Sequence, residues 1–124
     1  YCNVPGLGDR YCIIDTTSLE IEPLSNTALT SDGHPHPYKD GKKFVSDTYP
    51  NRRRMQELFL FNIENSNKTS LGLFYHPKEF QSPDIYKHWC VDLHPRWSPS
   101  GRYISFDSCN LGIRSHCILD LENE

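Results

Sequence analysis

Apolar residues in this chain come in short bursts separated by turn formers. Three bursts end alike. Cys12-Ile13-Ile14-Asp15, Phe59-Leu60-Phe61-Asn62 and Cys117-Ile118-Leu119-Asp120 each run an apolar triplet into an Asp or Asn, a side chain that hydrogen-bonds its own backbone and starts a turn. The pattern predicts a hairpin from strands at 11–15 and 19–23, a short inner strand at 35–38 and a further strand at 43–49. An outer hairpin follows at 56–61 and 69–75, and strands at 94–97, 103–107 and 116–121 complete the series. Residues 77–91 read as a long connection, and nothing supports a helix longer than two turns.

Two segments agree when one is moved by sixty residues. Asp32-Gly33-His34-Pro35, with Gly41 and Asp47, matches Asp92-Leu93-His94-Pro95, with Gly101 and Asp107. Seven positions separate His from Gly and six separate Gly from Asp in both copies. Four short strands per repeat is the pattern of a β-propeller, whose blades must stack on neighbours to cover both faces. The expected fold class is therefore all-β, a propeller fragment of about two and a half four-stranded antiparallel blades. Residues 1–30 would end one blade, 31–77 form a complete blade, 78–91 connect, and 92–124 form a final blade lacking its fourth strand. The remaining blades would come from the same or another chain. A repeat-free β-sandwich is the structural alternative.

Composition adds limits. The 124 residues include seven Tyr, six Phe and two Trp, enough large apolar groups for a core. Thirteen basic against sixteen acidic residues, a net charge of −3, argue against nucleic acid or an anionic membrane as partner. No apolar run approaches the roughly 20 residues that cross a bilayer. The compartment stays open, with the cytoplasm favoured. Five cysteines without a Cys-x-x-Cys do not suggest a disulfide scaffold, although a single bridge is compatible with them.

Pro95-Arg96-Trp97-Ser98-Pro99-Ser100-Gly101 resembles the TolB-type, WD40-like blade motif, with Ser100 in place of the usual Asp. Together with Asp32-Gly33-His34-Pro35, Ser46 to Pro50, Phe74-Tyr75-His76-Pro77 and Cys90 to Trp97, it resembles the C-terminal blades of oligogalacturonate lyase-like propeller proteins, over about residues 9–123. That resemblance implies a divalent metal, most commonly manganese, held by histidines. It also implies β-elimination on short acidic oligosaccharides, with His34 and His94 as ligands in adjacent blades. The family's glutamine ligand has no counterpart close upstream of His94, and Gln81 lies too far away to match.

The residues themselves leave more than one reading. Equivalent positions in neighbouring repeats bring His34 and His94 to one radius, where imidazoles suit manganese, iron, nickel or zinc. Asp32 or Asp92 would then ligate or hold the second ring nitrogen. The same His and Asp would also serve to fix strand order. His76, at a strand end, is a third candidate metal ligand. Arg96, Trp89 and Arg52 are candidate substrate contacts, since guanidinium grips a carboxylate bidentately and an indole stacks on a sugar ring. Solvated and structural roles stand beside each of these. Asp47 and Asp107 read as turn-capping residues. The functional alternatives to a lyase are a non-catalytic propeller that binds or scaffolds, and a metal-dependent glycan hydrolase on the same scaffold.

Overall fold

A computed structural model describes residues 1–24, 27–81 and 90–123. Among the described residues the strands lie in four separate antiparallel sheets. β1 (Cys2–Val4) pairs with β2 (Gly8–Arg10), and β3 (Cys12–Ile14) pairs with β4 (Ile21–Pro23). A four-stranded meander follows, made of β5 (His36–Pro37), β6 (Lys43–Asp47), β7 (Met55–Asn62) and β8 (Asn67–Tyr75). The last sheet has three strands, β9 (Arg96–Trp97), β10 (Tyr103–Ser108) and β11 (Ser115–Asp120).

The turns form for the reasons the residue types suggest. Asp15 Oδ1 accepts from the Thr17 and Ser18 amides, both at 2.8 Å. Asn62 Oδ1 accepts from the Asn65 amide, and Asp120 Oδ1 from the Glu122 amide, each at 3.1 Å. Gly41 and Gly101 take φ of 70° and 78°, left-handed values that cost a residue with Cβ. Their amides close equivalent turns onto Tyr38 O and Ser98 O at 3.0 Å.

The four-stranded sheet is covered on both faces. Successive residues of β6 and β7 point to opposite sides. Phe44, Phe59 and Phe61 pack with Tyr11 and Leu29 on one face. Val45 and Leu58 pack on the other with Leu93, Trp97, Ile104 and Phe106 of the three-stranded unit. His36 ties the two units together, because its Nδ1 accepts from the Trp97 amide at 3.2 Å.

This architecture corrects the expected fold class. The chain is all-β, but its strands are divided among small sheets of two to four strands, and none closes or curls into a propeller blade. The physical reason is that the repeated His, Gly and Asp positions encode local turns and their partners. Those same turns suit any antiparallel sheet, so their spacing does not specify ring closure. Without a propeller, the TolB/WD40-like description of these segments falls as well. The sequence pattern also gave no sign of the hairpin made by β1 and β2, which Asn3 and Asp9 join by a 3.0 Å side-chain hydrogen bond.

Candidate metal centre

The site begins with a close approach of backbones. A Cβ on Gly33 would lie 1.9 Å from the carbonyl oxygen of Asp47, so only glycine lets the 32–34 loop pass the end of β6. That contact sets His34 directly over the Asp47 carboxylate. Asp47 Oδ1 accepts the His34 amide at 2.7 Å and lies 3.0 Å from His34 Nδ1. Asp47 Oδ2 lies 3.1 Å from the same ring nitrogen and accepts the His94 amide at 3.0 Å. The side chain is only 1% exposed. One buried carboxylate thus stitches the loop before β5 to the loop before β9, satisfying its own acceptors by doing so.

His94 is held at a φ of 42°, uncommon for a residue other than glycine. Its ring stacks on that of His34 with centroids 3.7 Å apart and planes at 29°. Tyr49 meets the His34 ring edge-on at 5.5 Å. Asp92 completes the group. The ligand atoms of His34, Asp92 and His94 all lie within 4.8 Å of one another. His34 and Asp92 are half-buried and His94 is exposed, so the cluster opens to solvent.

Two imidazoles and a carboxylate are a donor set that could hold a metal ion. A carboxylate on Nδ1 keeps the proton there and turns the Nε2 lone pair outward, the arrangement found behind metal-bound imidazoles. Donors at about 2.1 Å from one ion are separated by up to roughly 4.2 Å, so a side-chain adjustment on the ångström scale gathers the three around a cation. Two imidazoles and one carboxylate leave coordination positions for water or another ligand.

The other sequence candidates are placed less centrally. His76 is 2% exposed and lies outside the three-residue cluster. Its amide donates to Arg54 O at 2.7 Å, Arg54 Nε donates back to His76 O at 2.9 Å, and a terminal guanidinium nitrogen of Arg54 meets His76 Nδ1. Because guanidinium only donates, Nδ1 must be the acceptor and Nε2 carries the ring proton. Burial, and then the Arg54 charge, hold the imidazole below its usual titration range. Arg54 also donates to Gln81 Oε1. His76, Gln81, Tyr49, Pro50, Cys90 and Asp92 line a cleft of about 110 Å³ that shares Asp92 with the cluster. Arg96 is exposed on β9, where it pairs with Ser105, and its guanidinium donates to the Pro95 carbonyl at 2.9 Å. Arg52 is exposed in the turn before β7. Trp89 falls outside the described residues, as does His88.

Sequence reasoning undervalued two residues. Asp47 is the buried anchor of the histidine pair and not a turn cap equivalent to Asp107. The copies differ because Asp107 faces outward, where Arg114 and His116 reach it at 3.0 Å. Arg54, one of three consecutive arginines, is the member bound inward. Its φ of 65° follows the Asn51 turn, where Asn51 O accepts the Arg54 amide. The asparagine was the one available signal.

No protein-family model, curated protein or solved structure matches the chain. The resemblance to oligogalacturonate lyase-like propellers therefore has no support in comparison, and the sheets lack the scaffold on which that lyase reading depends. The β-elimination expected from it, and the propeller-borne binding and hydrolase alternatives, are set aside. What the chain does contain is a candidate metal-ligand cluster of His34, Asp92 and His94.

Proposed function

We propose that this chain binds one divalent transition-metal ion through His34, Asp92 and His94 and presents its open coordination positions to an exogenous ligand. The reading is carried by three donors that meet from the loops before two different sheets, with Asp47 holding both loops. Asp47 serves as the outer partner that orients His34. His76, also a candidate ligand, is instead a protonated Nε2 donor on the wall of the adjoining cleft. Manganese accepts this mixed nitrogen and oxygen set, as do ferrous iron and zinc.

The ligand class we favour is a carboxylate, as carried by an acidic oligosaccharide. It would meet the metal charge, and Arg52 and Arg96, both exposed, are the candidate guanidinium groups to pair with it. Trp89 remains the candidate stacking surface for a sugar ring.

Titration of metal-free protein with Mn²⁺, followed by water-proton relaxation, tests the reading. Saturable binding near one ion per chain is expected. His34→Ala, His94→Ala and Asp92→Asn should each weaken it by at least about tenfold. Digalacturonate should displace inner-sphere water and lower the relaxation enhancement of the loaded protein, less so in Arg52→Ala or Arg96→Ala. Absence of saturable binding, or variants that bind as the parent does, would overturn the metal site. An unchanged enhancement with digalacturonate would overturn the ligand class alone.

A further inference from the structure

The N-terminal hairpin sets two thiols side by side, away from the histidine cluster. Cys2 Sγ and Cys12 Sγ are 3.6 Å apart, with Cys2 exposed and Cys12 half-buried. The neighbouring residues show why they meet. Tyr1 packs edge-on against Tyr11 with centroids 5.0 Å apart, and Tyr11 stacks on Phe44 of β6 at 5.8 Å. The chain ahead of β1 therefore runs beside the start of β3, and the next residue along each is a cysteine. The turn through Gly6, at φ 80°, makes that return possible. Cys90, Cys109 and Cys117 have no such thiol neighbour among the described residues.

We infer that Cys2 and Cys12 form an oxidative modification site, an intramolecular disulfide made by exchange with a small-molecule disulfide such as oxidised glutathione. The sulfurs must close from 3.6 Å to about 2.05 Å, a shift of side chains. The exposed Cys2 thiolate attacks the glutathione disulfide, forming a mixed disulfide and releasing one glutathione thiolate. Cys12, having lost its proton to solvent, attacks the Cys2 sulfur and releases the second glutathione. Two protein thiols are oxidised, and one glutathione disulfide is reduced to two thiols. Burial, and then the Cys2 thiol, hold the Cys12 thiol above its ordinary range, which suits Cys12 to the second, intramolecular step. The bridge would pin β1 to β3 and hold Tyr1 on Tyr11.

The sequence supplies a direct test. Arg10 lies between the two cysteines, and the next tryptic site is Lys39. Native protein is treated with oxidised glutathione, its remaining thiols are blocked, and it is digested with trypsin without reductant. The peptide ending at Arg10 should remain joined to peptide 11–39 and separate on reduction. Cys2→Ser should abolish the linkage, and oxidation under denaturing conditions should scatter it among the five cysteines. Separate peptides after oxidation, a persistent glutathione adduct on Cys2 without closure, or linkage of either cysteine to Cys90, Cys109 or Cys117 in native protein would overturn the inference.

Discussion

Asp47 does several things with one side chain. It accepts two backbone amides and faces an imidazole nitrogen, all from loops distant in sequence. Asp47→Asn keeps the shape but loses the charge and places an amide group where one of these donors needs an acceptor. Outer-shell replacements of this kind weaken metal affinity about 10–100-fold, and that is the expected loss for manganese measured by titration. The same change should cost about 1–3 kcal/mol of stability, since a buried hydrogen-bonding group is left badly matched. Gly33→Ala should act differently. Its new Cβ would meet backbone, with the Asp47 carbonyl oxygen only 1.9 Å away. The loop must shift, so His34 should leave its place over Asp47. Denaturant unfolding of the alanine variant should show a clear drop in midpoint, and an unchanged midpoint would mean the approach is not that close.

At the scale of elements, two imidazoles, the half-buried His36 and the buried His76, link loops and strands without entering the metal cluster. His36 joins β5 to β9, and His76 joins the end of β8 to the Arg54 turn. Both are held below the usual histidine range, by burial first and then by Arg96 and Arg54 respectively. The unfolded chain takes up those protons near pH 6.5, about the ordinary value, while the folded chain resists them. Stability from this source is therefore complete above about pH 6.5 and is lost as pH falls through the lower folded values. Urea midpoints of metal-free protein should fall between pH 7.5 and 5.5, and His76→Gln should fall less. Asp15, Asp107 and Asp120 titrate below their ordinary range and act only in more acidic solution. These elements also show how far sequence carries. The apolar triplets ending in Asp or Asn placed three turns correctly, because the capping side chain is local. Spacing also pointed to His34 and His94 as partners. The role of Asp47 was not legible, because it depends on which face of β6 meets the second loop. Nor was the division of the strands among small open sheets, which no local turn encodes.

For the whole molecule, the loop that carries the site is part of the core. Leu93 lies between Asp92 and His94, is fully buried, and packs with Val45, Leu58, Trp97, Ile104 and Phe106. Leu93→Ala should cost about 2–5 kcal/mol by thermal or denaturant unfolding, and should loosen the metal donors as the loop relaxes. The opposite face rests on Phe44, Phe59 and Phe61, so Phe59→Ala should also lower stability in denaturant unfolding. X-ray absorption fine structure of the Zn²⁺-loaded protein tests the central claim most directly. The spectrum should carry multiple scattering from two imidazoles, falling to one in His94→Ala. A spectrum without imidazole scattering, or one unchanged by loss of either His34 or His94, would contradict a metal centre at this cluster.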